Sequence, residues 1–331
     1  MKFSIIIPIF NRETYIPETL ESVLNQSYRD IEIIFVDDCS SDNGLDILRS
    51  YAEKDCRIKI IVHQENKGPH SARRTGVQNA SGDYILFLDC DDSFSLDALE
   101  ILYDNLSKNK VEVLEYGHLS IVSKEKTLPD KDITKDNLFT SIAYYTRPCR
   151  GNVWNKVYNV GLLKKSFEIM SDFYAVMGED FYESVIIAYY TNTYISIKNI
   201  LLFYNDESGV SNTKKSINGI KRDLCSIGNI LNGFRDFFER YAPEHKSCIL
   251  NIEKYYIHYM YYNQILLKTI KNDRYVSVNL MKDYFSAEVT APLLKKSKLM
   301  VTCDAVLYNI RAIIKRFIPK RLRERVRKYY A

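Results

Sequence analysis

Asp89 and Asp91 stand two residues apart, just past the apolar run Tyr84 to Leu88. In extended backbone that spacing turns both carboxylates to one side, where a single cation fits between them. A hard cation such as Mg²⁺ takes oxygen ligands, commonly one or two carboxylates with the rest from phosphate and water. A diphosphate substrate would complete such a shell. The alternative use of acidic residues at this place is to cap the next helix. Two other apolar runs end in comparable chemistry: Pro8-Ile9-Phe10-Asn11 closes the first, and Asp37-Asp38 closes the second. In open α/β sheets ligands bind beyond the carboxyl ends of the strands, so these three clusters are candidates for one site.

The elements that must position them are legible as apolar runs. Ser4 to Ile9, Ile31 to Val36, Ile58 to Val62 and Tyr84 to Leu88 are near-continuous in Ile, Val, Leu and Phe, which suits strands covered on both faces. Helical patterns fall between and after them, at 14 to 26, 42 to 54, 70 to 80 and 95 to 108. Ile16, Leu20, Val23 and Leu24 share one stripe of the first. The rhythm predicts an α/β fold, a mostly parallel sheet flanked by helices. A polar stretch from about 123 to 140 marks a surface loop. From 216 to 290 the pattern is mainly helical, and the tyrosines between Tyr255 and Tyr262 fit helix packing. The expected organisation is a nucleotide-binding core over 1–122, an acceptor-binding part over 123–210, and a helical C-terminal region with a basic amphipathic tail over 211–331.

At 331 residues, with 46% hydrophobic and 27% charged residues, the chain has an ordinary globular balance. Its seven cysteines include no C-x-x-C pair, which fits a reducing compartment. No apolar stretch approaches the roughly 20 residues that span a bilayer, and no signal-peptide layout is apparent, so a cytoplasmic protein is expected. The histidines at 63, 70, 118, 245 and 258 lack metal-ligand spacing, which argues against zinc. Residues 311 to 328 carry nine Lys or Arg beside the single Glu324. With Ile313, Ile314, Phe317, Ile318 and Leu322 interleaved, such a segment suits the inner face of an anionic membrane, the alternative being a solvated basic helix.

Taken together, Ser4 to Asn11, Val36-Asp37-Asp38-Cys39-Ser40-Ser41-Asp42, Asn66-Lys67-Gly68, Ser71-Ala72-Arg73 and Asp89-Cys90-Asp91-Asp92 resemble glycosyltransferase family 2. The resemblance covers roughly the first 120 residues well. Beyond them it rests on Trp154-Asn155-Lys156 and Gly178-Glu179-Asp180.

It implies a GT-A fold and an inverting, metal-dependent transfer of one sugar from a nucleotide diphosphate donor, with a UDP-sugar expected, to an acceptor hydroxyl. Pro8, Phe10 and Asn11 would line the base and ribose pocket, Asp38 would accept the imide N–H of a uracil, and Arg73 would donate to the base. Asp89 would hold ribose or a metal-bound water, and Asp91 would bind Mg²⁺ or Mn²⁺. Asp180 would be the general base toward a glycan or lipid-linked acceptor, with Trp154 stacking on an acceptor sugar and Arg147, Arg150 and Lys156 near phosphates. Each has a plainer alternative: Asp38 or Asp180 as a helix cap, Arg73 as a solvated helix residue, Trp154 as packing.

Cys90 stands where the family often has Ser, and Arg74 where it often has Asn. The Q-x-x-R-W string of processive members is missing, since Val153 and Asn155 flank Trp154; one sugar per encounter is expected. Such a chemistry belongs to the building of a surface polysaccharide or oligosaccharide. A sugar nucleotidyltransferase would want a glycine-rich loop after the first strand, and Pro8 to Thr14 contains no glycine. A non-catalytic nucleotide-binding scaffold at a membrane surface is the other alternative. No nucleic-acid motif accompanies the basic tail.

Overall fold

A computed structural model describes residues 1–144, 151–207 and 215–266, with short stretches between 276 and 291. Arg147, Arg150 and the basic segment 311–328 lie outside the described residues. Each anticipated apolar run is a strand, and a helix comes after it: β1 (Phe3–Ile9), α1 (Ile16–Leu24), β2 (Ile31–Asp37), α2 (Gly44–Ala52), β3 (Ile58–Val62), α3 (Gly68–Asn79), β4 (Tyr84–Phe87). The chain continues through β5 (Ser93–Phe94), α4 (Ala98–Asn109), β6 (Val113–Ser120), β7 (Lys126–Thr127), α5 (Lys135–Ala143), β8 (Lys156–Asn159), α6 (Val160–Ile169), α7 (Glu179–Tyr190) and β9 (Tyr194–Tyr204). The last described α-helices are α8 (Ile217–Arg240) and α9 (Cys248–His258), and a π-helical stretch, Tyr259–Leu266, continues α9.

One sheet collects all the strands in the order β3-β2-β1-β4-β8-β6-β9-β5, with β7 on β6. The first four strands are parallel. The sheet as a whole is mixed rather than mostly parallel, because β8 enters antiparallel between β4 and β6 while β6 and β9 are parallel to each other. Strand order reverses at β1, whose neighbours are β2 on one side and β4 on the other. Such a switch point leaves a crevice between the loops that leave in opposite directions.

Side chains alternate across the pleat, so the two faces bury two cores. Ile5 and Ile7 of β1, Ile33 and Phe35 of β2 and Leu86 of β4 pack with α1, α2 and α4 through Leu20, Leu48 and Leu102. Ile6, Ile34, Val36, Ile85 and Phe87 point the other way, into a cluster that takes in α3 and α5 to α9. The C-terminal helices therefore share a core with the parallel strands. Tyr256 and Tyr261 are buried in it, in keeping with the packing role expected of that tyrosine cluster.

At the amino ends of the strands, far from the crevice, Glu32 is 2% exposed. It accepts hydrogen bonds from Ser4 Oγ at 2.6 Å, Ser81 N at 2.6 Å and Lys59 Nζ at 2.5 Å. Burial opposes ionisation of this carboxyl, but these donors prevail and lower it to about 2. Among the described residues no helix is long and apolar enough to cross a membrane, and the five described cysteines are unpaired.

Candidate active site

The crevice is a cavity of about 350 Å³ at the carboxyl ends of β1, β2 and β4. Pro8 and Phe10 form one wall, Asp38 and Gly68 the floor, and Asp89 and Asp91 the wall beyond β4. The register explains the convergence: Ile9 pairs with Asp37, and Ile6 with Phe87, so the chain leaves all three strands at one edge.

Asp38 is held by donors from three places. Its Oδ1 accepts from Lys67 N at 2.9 Å and lies 2.7 Å from His63 Nδ1, and its Oδ2 accepts from Gly68 N at 2.7 Å. His63 reaches on to Thr75 Oγ1 at 2.9 Å. Asp38 thus caps the start of α3 rather than of α2, and favourably so, since the N-terminal N–H groups of a helix carry partial positive charge. Gly68 makes the approach possible. Its φ is +84°, and a Cβ there would sit 2.4 Å from the Ala175 carbonyl oxygen.

The Asp89–Asp92 turn is pinned from both sides. Asp92 N donates to Asp89 O at 3.0 Å, Thr19 Oγ1 donates to Asp92 O at 2.9 Å, and Asp92 Oδ1 accepts from Asn205 N at 2.8 Å. Asp92 ties the turn to α1 and to the end of β9, leaving Asp89 and Asp91 as the cavity-lining pair. Arg12 NH2 stands 3.9 Å from Asp91 Oδ2.

Arg73 occupies the centre, 3% exposed. Its NH1 lies 2.6 Å from Asp180 Oδ1, 3.2 Å from Glu183 Oε2 and 3.3 Å from Glu179 Oε1, and its NH2 lies 3.6 Å from Asp89 Oδ1. Four carboxylates around one guanidinium leave an excess of negative charge. Burial, the repulsion of Asp180 and that of Asp91 push the Asp89 carboxyl up to about 7, against the pull of Arg73. Burial and then Asp180 raise Glu179 to about 8. Asp180 itself is raised, by burial first, with Arg73 opposing.

Several expected residues take other places. Arg73 lines the cavity and is buried rather than solvated; its NH1 is committed to the carboxylates of α7, while its Nε has no hydrogen-bond partner among the described residues. Asn11 is braced away from the cavity: its φ is +53°, and its Oδ1 accepts from Ser41 N at 2.8 Å. Trp154 is 7% exposed and does not line the cavity. Its ring lies flat on Tyr204, with centroids 5.0 Å apart and planes 3° apart, and it is Tyr204 that reaches the cavity wall. Lys156 is buried against Asn152 O and Asn155 Oδ1. Asp180 is not the cap of its helix. Gly178 is, at φ +84°, and Tyr256 of α9 donates to its carbonyl at 2.7 Å.

Sequence reasoning gave no role to Glu179, Glu183, His63, Tyr204 and Arg222. The fragment Gly178-Glu179-Asp180 already contained Glu179, and its i+4 partner Glu183 lies on the same helical face; the others carry no local signal. The donor set suits a hard divalent cation at Asp89 and Asp91, both oxygen ligands on the cavity wall. Among the described residues no group of three or more His, Cys, Asp or Glu could hold a metal alone. A cation would therefore need oxygens from a ligand.

Residues 4–161 match the sequence profile of the family described as Glycosyl transferase family 2. An uncharacterized glycosyltransferase of Haemophilus influenzae is 39% identical over 122 residues, 37% of this chain and 48% of that protein. Glycosyltransferase GlyA of Streptococcus pneumoniae is 32% identical over 199 residues, 55% of this chain and 27% of GlyA. TuaG of Bacillus subtilis, provisionally described as a teichuronic acid biosynthesis glycosyltransferase, is 38% identical over 130 residues, 39% of this chain and 51% of TuaG. The chain thus spans about half or less of these relatives' lengths. Among solved structures, residues 1-349 of S. aureus TarS in complex with UDP-GlcNAc superpose with a TM-score of 0.64 at 22% identity, covering 91% of this chain and 88% of that one. The amino-terminal segment 4–161 belongs to glycosyl transferase family 2, and the chain has the GT-A fold.

Proposed function

We propose that the chain is a glycosyltransferase that moves a single sugar from a UDP-sugar to an acceptor hydroxyl, with inversion, in the building of a cell-surface polysaccharide or oligosaccharide. The observation that carries the reading is that Asp89 and Asp91 line the cavity together with Arg73 and Glu179 of α7, while Asp180, which does not line it, stands 2.6 Å from Arg73. The family of segment 4–161 and the UDP-GlcNAc bound by TarS support the donor class.

In this reading Phe10 and Pro8 flank the base. A carboxylate has about four lone-pair sites; three of Asp38's are used, leaving one for a uracil imide N–H. Asp91, with Asp89, would hold Mg²⁺ or Mn²⁺ together with the diphosphate. When bound, that cation supplies positive charge to the departing diphosphate. Asp180 takes the proton of the acceptor hydroxyl, and burial, by raising its carboxyl, makes it the better base at neutral pH. Tyr204, backed by Trp154, offers the aromatic surface that the acceptor sugar would need. The acceptor, glycan or lipid-linked, would be met at the cytoplasmic face of the membrane, where segment 311–328 would adhere.

The test is a mass-spectrometric screen of nucleotide-sugar turnover with Mg²⁺, with Mn²⁺ and with chelator, together with calorimetric titration of UDP. Asp180→Asn is expected to lower turnover by about 10² to 10⁴ while UDP still binds. Turnover indifferent to chelator would remove Asp91 from its role. UDP binding with no transfer to any acceptor pool would favour a nucleotide-binding scaffold.

A further inference from the structure

His70 and Glu183 are both fully buried, 113 residues apart, and neither touches the cavity. The His70 ring is stacked between Phe167 and Phe173, at centroid distances of 5.8 and 4.9 Å. Its Nε2 lies 3.2 Å from the Ser171 carbonyl oxygen, and its Nδ1 lies 2.8 Å from Glu183 Oε1. A backbone carbonyl can only accept, so Nε2 carries a hydrogen. The Nδ1 contact to a carboxyl oxygen then needs a proton of its own, whether it resides on the ring or on Glu183. In both descriptions the pair holds one shared proton and is neutral overall, which is the state burial favours.

The other oxygen of Glu183 accepts from Arg73 NH1 at 3.2 Å. That same nitrogen meets Asp180 at 2.6 Å. We propose that His70 and Glu183 form a buried, single-proton dyad that positions the Arg73 guanidinium and, through it, Asp180 for the transfer step. The inference rests on the glycosyltransferase reading. Neither residue is catalytic in itself; both are positioning residues.

The surroundings support a positioning role. Arg73 is drawn by four carboxylates on two sides, Asp89 from β4 and Glu179, Asp180 and Glu183 from α7. Of these, Glu183 alone is fully buried and backed by a further partner. It is therefore the fixed point, and the Arg73–Asp180 contact is set relative to it. His70 in turn anchors Glu183 to segment 170–173, which α3 also grips through Ser71 Oγ to Asp172 Oδ1 at 2.8 Å and Arg74 NH2 to Met170 O at 2.5 Å.

Three variants of the full chain test this. His70→Phe keeps the ring stack and loses both hydrogen bonds; Glu183→Leu removes the dyad's acceptor. Both are expected to lower kcat by about 10- to 100-fold, the scale of a small misplacement of reacting groups, with donor KM and the UDP Kd within about threefold. Glu183→Gln can donate to an unprotonated Nδ1 and still accept from Arg73. It is expected to restore kcat to within about threefold of the wild type. Histidine-selective ¹⁵N NMR reads the proton directly. The Nε2–H of His70 should persist in both the wild type and Glu183→Gln, and a proton in the Nδ1 contact should be present in the wild type, with Nδ1 unprotonated in the glutamine variant. The proposal is overturned if His70→Phe and Glu183→Leu keep wild-type kcat, or if both lose UDP binding together with turnover. A wild-type chain that turns over no nucleotide sugar, yet shows the NMR pattern, would overturn the glycosyltransferase reading and leave the dyad's proton standing.

Discussion

The charge balance around Arg73 makes the protein sensitive to pH in an unusual direction. Asp89 at about 7 and Glu179 at about 8 sit well above ordinary carboxylates, burial being the largest cause for each. Between roughly pH 4 and 8 the folded state therefore holds protons that the unfolded chain has released, and stability falls as pH rises through that window. Ligand-free protein is expected to melt about 2 to 6 °C lower at pH 8.5 than at pH 6. Asp89→Asn should flatten this slope, and differential scanning calorimetry in matched buffers measures it. An unchanged slope in the variant would show that Asp89 ionises freely. The string Asp89-Cys90-Asp91-Asp92 is legible as a site because strand ends in a parallel sheet converge. Which of its carboxylates line the cavity is not: Asp92 is turned inward to Asn205, 113 residues away, and nothing local in the sequence records such a distance.

At the scale of elements, the parallel strands and their helices come directly from the apolar runs, because strands buried on both faces leave little room for another reading. The chain beyond β4 is harder to read. β8 is only the four residues Lys156–Asn159, too short for a periodic signal, and its insertion between β4 and β6 turns the sheet mixed. Trp154, two residues before it, is a candidate for sugar stacking only while its partner is unknown; once β9 brings Tyr204 alongside, it becomes the support for that ring. The start of α3 carries the sharpest backbone demand. Gly68→Ala would combine a left-handed φ of +84° with a 2.4 Å approach to Ala175 O. The expected loss is about 1 to 3 kcal/mol of stability, with weaker binding of the proposed UDP donor as Asp38 loses its two amide donors. Thermal melts and calorimetry would check both, and a variant with wild-type affinity would show that the cap does not shape the pocket.

Across the whole molecule, the two ends of the sheet respond oppositely to acid. Glu32, lowered to about 2 by Lys59, Ser4 and Ser81 against its burial, contributes stability that is fully present above its unfolded value near 4.5 and lost as pH falls toward 2. Glu32→Gln is expected to cost about 2 to 4 kcal/mol at neutral pH and to remove this share of the acid dependence. UDP binding should stay unchanged, since Glu32 lies at the opposite edge. Urea unfolding at pH 7 and pH 3 would reveal it, and equal losses at both pH values would contradict the assignment.

The hydrogen bond from Tyr256 to the Gly178 carbonyl has a consequence for how such a chain can be inherited. The cavity's walls run from Pro8 to Arg222, whereas the family match stops at residue 161. Recombination at that point would carry off the strand-end carboxylates without Glu179, Asp180 or the helix that fixes their turn. The heritable unit of this site is thus longer than its recognisable signature, and an exchange of C-terminal partners preserves it only if α9 travels with α7.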